Sequence, residues 1–183
     1  VATGSATIAN NVTPSVSIAS SDGDNSFCSG TSVTFTASPT NGGSPTYQWK
    51  SGGSNISGET SSTYTSTGIT NNEVITVTMT ANNACQSAST ATSSGITNTV
   101  TTTVTPSVSI ASSDGDNAFC SGTSVTFTAS PTNGGSPTYQ WKSGGSNIVG
   151  ETSSTYTSTG ISDTEVITVT MTANNACQSA STA

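Results

Sequence analysis

The most reactive side chains in this 183-residue chain are its four cysteines, which form two pairs of equal spacing, Cys28 with Cys85 and Cys120 with Cys177. Zinc is a poor fit, because the chain has no His and no C-x-x-C pair. No charged residue adjoins any of the four to lower a thiol pKa and make a nucleophile. The plain alternative is two buried free thiols per repeat. An even count with one pair in each half of the chain points instead to two disulfides, Cys28–Cys85 and Cys120–Cys177. Each would tie the entry of one strand to the exit of another, and closing such a loop stabilises by roughly 4 kcal/mol in the chain-entropy model. Disulfides place the protein outside the cytoplasm.

The acidic residues offer a second chemistry. The stretch "SDGDN" sets Asp22, Asp24 and Asn25 within four positions, and Asp114, Asp116 and Asn117 repeat it. Calcium favours such hard oxygen ligands, so these six residues form a weak candidate calcium site; no other cofactor is indicated. An EF-hand loop would need more ligands and a distal Glu, and an ordinary Asx turn uses the same residues. Hydrolysis by a Ser nucleophile needs a base, usually His, and none exists. The only bases, Lys50 and Lys142, occupy equivalent positions in separate repeats. Glu59, Glu73 and their copies Glu151 and Glu165 lie in turn segments, where carboxylates solvate a loop rather than flank a sugar. The chain reads as no enzyme. Trp49 and Tyr47 could stack on a sugar, but a Trp in a central strand of a sandwich belongs to the core beside the disulfide. Tyr64, in "SSTYTSTG", is expected to be partly exposed. Asn11-Val-Thr and Asn55-Ile-Ser match the N-glycosylation pattern, whereas Asn147-Ile-Val does not.

Nine acids against two bases leave a net charge of −7. Nucleic-acid binding needs Lys and Arg to neutralise phosphates, so that partner is excluded, and docking on anionic lipid is disfavoured for the same reason. No membrane span and no secretory leader is visible in "VATGSATIAN", so the chain reads as a mature or internal piece of something longer.

Residues that carry chemistry must be held by elements, and the elements here are strands. Ser and Thr make up 74 residues, about 40% of the chain. So polar a composition could leave a chain disordered, but the apolar residues alternate. "SVTFTAS" puts Val33, Phe35 and Ala37 on one face; "TYQWK" does so with Tyr47 and Trp49, and "EVITVTMTA" with Ile75, Val77, Met79 and Ala81. Period-two alternation of Thr, Val, Ile and aromatics marks half-buried strands. Turn clusters such as "SSDGDN", "SPTNGG" and "GITNN" separate them, and no stretch has helical periodicity. An all-β, antiparallel sandwich is expected.

The pattern occurs twice. Val12–Ala91 and Val104–Ala183 align at an offset of 92, and 75 of the 80 pairs are identical. The differences are Ser26/Ala118, Ser57/Val149, Thr70/Ser162, Asn71/Asp163 and Asn72/Thr164, all in or beside turns. The expected division is repeat 1 over 12–103 and repeat 2 over 104–183, the latter lacking its final strand. In repeat 1 that strand is "ATSSGITNTVTTTV", with Ile96, Val100 and Val104 toward one face. Residues 1–11 then belong to the closing strand of a preceding repeat, with Gly4–Val12 offering Ala6, Ile8 and Val12. The strand that completes repeat 2 is expected from the same polypeptide beyond Ala183, with a neighbouring chain's strand as the alternative. Pro14 and Pro106 in "VTPSVS" leave no free linker, so the domains are expected to stack end to end with little hinge.

"CSGTSVTFTASPTNGGSPTYQWK", "STYTSTGI", "EVITVTMTANNAC" and "ATSSGITNTVTTTVTPSVSI" together resemble the PKD-like or Ig-like tandem repeats of very large surface proteins of gliding and predatory bacteria of the Bacteroidota type. The resemblance covers essentially the whole chain. It implies tandem Ig-like domains, display at the cell surface or outside the cell, export of the parent protein by the type IX secretion route, and no catalytic site. The acidic "SSDGDNSFC" departs from the common pattern of such repeats. The expected function is that of a structural and adhesive module of an extracellular filament, a disulfide-stapled rod. Its partners would be neighbouring repeats of the same or an identical chain, lateral copies in a fibre, and surface glycans. The rival expectation is a carbohydrate-binding module of a secreted polysaccharide-degrading protein, which requires an exposed aromatic strip.

Overall fold

A computed structural model describes residues 10–183. Most of the expected closing strand Gly4–Val12 therefore lies outside the described residues; its last residue, Val12, pairs with Gln86 in a parallel bridge. The chain divides into two units, Val1–Thr102 and Thr103–Ala183. Every regular element among the described residues is a strand, and no helix is long and apolar enough to cross a membrane.

Unit 1 contains β1 (Ser15–Ser20), β2 (Ser26–Cys28), β3 (Val33–Thr40), β4 (Thr46–Ser51) and β5 (Ser54–Asn55). It continues with β6 (Thr63–Ser66), β7 (Val74–Thr80), β8 (Thr90–Thr92), β9 (Ile96–Thr97) and β10 (Thr99–Thr101). Unit 2 contains β11 (Ser107–Ser112), β12 (Val125–Thr132), β13 (Thr138–Ser143), β14 (Ser146–Asn147), β15 (Thr155–Ser158) and β16 (Ile167–Thr172).

In unit 1 one antiparallel sheet has the order β1-β3-β6, and a second has β5-β4-β7-β8, with β9 also on β7. The alternation read from the sequence falls on the pleat as expected. Val33, Phe35 and Ala37 of β3 are buried, as are Ile75, Val77 and Met79 of β7, while the residues between them face outward or sit at the rim. Trp49 on β4 is fully buried and donates its indole N–H to the Ser61 carbonyl at 2.9 Å. Its ring lies 6.4 Å from Phe35 and 5.9 Å from Tyr64, so the aromatics of the two sheets meet in one sandwich-like core. Such ring pairs add about 0.5–1.5 kcal/mol beyond their buried area. The expectation that Tyr64 is partly exposed is corrected here. Register sets Tyr64 opposite Phe35, where the two rings stack at 6.0 Å and leave Tyr64 only 9% exposed.

The twice-used "NGGSPTYQWK" is explained by a turn that tolerates little change. Asn41 and Gly43 both have positive φ, 55° and 70°. A Cβ on Gly43 would stand 2.4 Å from the Asn82 side-chain oxygen, which accepts the Ser44 N–H at 2.7 Å. Asn83 reaches across to the Asn41 carbonyl. Asn133, Gly135, Asn174 and Asn175 repeat the arrangement in unit 2.

One ladder departs from the antiparallel expectation. Strand β10 pairs with β2 in parallel, Val100 beside Phe27 and Thr101 beside Cys28. Unit 2 has sheets β11-β12-β15 and β14-β13-β16.

The five differing positions also bear on stability. The turn from Thr70 to Glu73 closes with the Glu73 N–H on the Thr70 carbonyl at 3.1 Å and needs φ near 63° at Asn72. Its copy places Thr164 at φ 62°. Asn visits this left-handed region far more readily than a β-branched residue does. Thr164→Asn should therefore stabilise unit 2 by about 1 kcal/mol, and Asn72→Thr should destabilise unit 1 by a similar amount. Calorimetry on both variants checks this; equal melting temperatures would show that the turn relaxes without cost.

Candidate functional site

The end of the repeat reached by β1 is built by the acidic turn. In unit 1 the Ser20 hydroxyl accepts the Asp22 N–H at 3.1 Å. Asp22 and Asp24 then each turn one carboxylate oxygen to the Ser26 N–H, at 2.9 and 3.0 Å. Asn25 takes a positive φ of 57°, which reverses the chain into β2. Unit 2 builds the same turn from Asp114, Asp116 and Asn117, with the Ala118 N–H bonded to both carboxylates at 3.1 Å. That N–H, followed by the contact with Asp114, holds the Asp116 carboxyl below its usual value. The six candidate calcium ligands are thus brought together three by three, and the carboxylates already serve as turn acceptors. Among the described residues no group of three or more His, Cys, Asp or Glu could hold a metal ion.

The turn delivers β2 to the rim, where unit 1 seats its closing strand. Thr99 N–H donates to the Asn25 carbonyl and Ser29 N–H to the Thr101 carbonyl, both at 2.8 Å. The Asn71 side chain accepts the Val100 N–H at 3.0 Å. Asn98 is fully buried, its carbonyl accepting the Asn72 N–H at 2.8 Å and its side chain donating to the Glu73 carbonyl at 2.9 Å. Under this strand Phe27 is 8% exposed.

Unit 2 presents the same walls with no counterpart of β10 among its described residues. In its place is a groove of about 1060 Å³, whose lining includes Phe119, Cys120, Phe127, Asp163, Val166 and Ile167. Val166 is 62% exposed and Ile110 39%. Sequence reasoning did not place the closing strand. It did not foresee a parallel pairing with β2, so it missed that the cleft would border Cys120. The signal was the short "SFC" run after a reversing Asn.

The expected disulfides are corrected by the structure. Cys85 and Cys120 are free thiols, whereas Cys28 and Cys177 are disulfide-bonded. The Cys28–Cys85 and Cys120–Cys177 pairs are therefore not formed. The reason is strand direction. Strands β3 and β7 run in the same sense, both toward the end where β1 begins. The entry of one and the exit of the other thus lie at opposite ends of the unit. Cys28 sits beside Thr101, where β1 has finished. Cys85 accepts the Val12 N–H at 2.8 Å, before β1 has started. Six residues of strand span about 20 Å, and a disulfide needs Cα atoms within about 7 Å. Unit 2 repeats the separation, with Val104 N–H on the Cys177 carbonyl at 3.0 Å.

The remaining candidates are structural. Trp49 and Trp141 are fully buried, so neither offers a sugar a stacking face. Ser51 donates to Glu73 at 2.6 Å, and the Thr70 N–H and hydroxyl donate at 2.8 and 2.9 Å. Burial works to raise the Glu73 pKa, but these three donors outweigh it and hold the carboxyl below its usual value. Glu165 is lowered as well, first by Ser143 and then by the Ser162 N–H. Both are turn fasteners.

Compared with known proteins, the chain matches no family model and no curated protein.

Two measurements follow. Millimolar calcium should leave the melting temperature unchanged, because the Asp carboxylates already cap the turn; a clear upward shift would reveal a bound ion. The second concerns acid. Glu73 and Glu165 have folded-state pKa values below the unfolded value of about 4.3, so their stabilisation is present above that value and is lost as pH falls through the folded one. The melting temperature should therefore fall as the pH is lowered below about 5. A Glu73→Gln/Glu165→Gln variant should melt lower at neutral pH and show a shallower acid slope. An unchanged slope would mean that other carboxylates carry the effect.

Proposed function

We propose that this chain is a structural and adhesive repeat module of a long extracellular surface filament, in which copy number sets reach. The observation that carries the reading is the near-identity of two units that each bring a Phe, a Trp and a Tyr ring together. A binding or catalytic role would need particular side chains in a cleft, and the sole-copy features that mark such a site are missing from the sequence. Repetition without divergence suits a chain whose property is length. The fold is read as Ig-like, in the manner of PKD-like repeats, from the resemblance of "CSGTSVTFTAS" and "TYQWK" together with the sandwich-like core of unit 1. Extracellular placement is supported by the disulfide-bonded Cys28 and Cys177. The rod expected from the sequence was stapled within each repeat; that part of the reading gives way to cysteines placed at the two ends of each unit.

The carbohydrate-binding alternative loses its main support with Trp49, Trp141 and Tyr64 all drawn inward. A glycan array and single-molecule pulling separate the two readings. A structural module should retain no glycan and, pulled in reductant so that the disulfide at Cys28 and Cys177 does not shield the chain, should unfold in regular steps of near-equal length, one per unit. Retention of one polysaccharide class, or featureless extension at low force, would overturn the structural reading.

A further inference from the structure

We propose that copies of this chain pair side by side through the free edges of β6 and β15, each edge taking an identical edge of a second copy in antiparallel register. The inference rests on the reading of the chain as a structural repeat module and names the surface by which such modules bundle.

Strand β6 ends its sheet, with β3 on one side and no strand on the other among the described residues, and β15 ends its own in the same way. The phase of the backbone shows what the free side offers. The Ala37 N–H donates to the Ser62 carbonyl at 2.9 Å, and the register runs on to Phe35 opposite Tyr64. Residues of an antiparallel strand alternate between bonding toward a given partner and away from it. Ser62, Tyr64 and Ser66 therefore bond to β3, while Thr63 and Thr65 turn their N–H and C=O groups outward. Ala129 and Ser154 set the same phase in unit 2 at 2.8 Å, which leaves Thr155 and Thr157 outward. In unit 1 the other edges are covered or short. Strand β1 lies against β7, β8 and β9, and β5 has only two residues.

The chemistry of the edge selects its occupant. Soluble proteins guard an exposed edge with Lys, Pro or a bulge. From Thr60 to Asn72 there is no charged residue and no Pro, and the same holds from Thr152 to Ser162. The acids that give the chain its net charge of −7 lie outside these stretches, so a second copy meets no like charge along the edge. The edge is also self-complementary. With Tyr64 opposite Tyr64 of the second copy, Thr63 faces Thr65 and Thr65 faces Thr63. Each facing pair then exchanges both of its N–H···O=C bonds. The hydroxyls of a facing pair share one side of the joined sheet, as Thr34 and Thr65 already do at 2.8 Å within unit 1. A contact this short is weak alone. Each copy carries it twice, once per unit, which lets it hold a neighbour by either edge and builds bundles rather than pairs.

The test is sedimentation equilibrium of the 183-residue chain, its free thiols alkylated so that no disulfide joins copies. Amide exchange is followed on the same samples at low and high concentration. The expected mass rises with concentration. Exchange at Thr63, Thr65, Thr155 and Thr157 should slow by about tenfold as it does so, while Tyr64 exchanges slowly throughout. Thr63→Pro/Thr155→Pro removes one outward N–H per edge and no bond to β3 or β12. It should weaken association by about tenfold and keep the slow exchange of Tyr64. Thr63→Lys/Thr155→Lys, which keeps the backbone free of proline, should weaken association as well. Ser17→Lys/Ser109→Lys adds equal charge on exposed residues of β1 and β11 and should leave it unchanged. A chain that stays monomeric at every concentration overturns the proposal. So does association that leaves Thr63 and Thr65 exchanging fast, that survives both edge variants, or that the Ser17→Lys/Ser109→Lys control weakens equally. A monomer with a flat glycan array and regular unfolding loses the lateral joint and keeps the structural module.

Discussion

Strand direction is the constraint on which the rest of this molecule depends. A sheet strand carries its ends about 20 Å apart, and whatever follows it must start where it stops. Because β3 and β7 travel the same way on the two layers, the loop before the first and the loop after the second are held at opposite ends. The cysteines, the acidic turn and the "NGGSPTYQWK" turn are all consequences of that. One end gathers Asp22, Asp24, Cys28 and the closing strand; the other gathers Asn41, Gly43, Asn82 and Cys85.

Within that frame, a chain so rich in Ser and Thr folds by spending its few large apolar side chains well. Phe35, Trp49 and Tyr64 close the centre of unit 1, and the β-branched residues of β7 complete the floor. The hydroxyls outside are not idle. Thr34 bonds Thr65 and Thr78 bonds Thr92 across neighbouring strands, at 2.8 and 3.0 Å. Such cross-strand pairs contribute about 0.2–1 kcal/mol each. A surface of short hydroxylated side chains also has little entropy to lose on ordering.

The core was legible in the sequence because pleating is local: alternation at Val33, Phe35, Ala37 and at Ile75, Val77, Met79 needs no knowledge of the partner strand. Tyr64 was misplaced because "SSTYTSTG" holds a single apolar residue, and only its register opposite Phe35 draws it inward. The cysteines were misjudged for a related reason. Equal spacing within each repeat says that two residues are equivalent between copies, not that they are near each other, and nearness depends on the sense of β3 relative to β7. The border of the groove on Cys120 could not be foreseen, since a parallel ladder between β2 and β10 joins segments some 70 residues apart.

A unit whose two ends differ has a polarity, and polarity governs symmetry. An isologous contact presents one patch to its own copy and closes as a dimer. A contact between unlike ends is heterologous and has no built-in stopping point, so it yields a ring if the rotation per joint closes and an open filament if it does not. With Cys28-type residues at one end and Cys85-type residues at the other, any bond between unlike types is of the second kind.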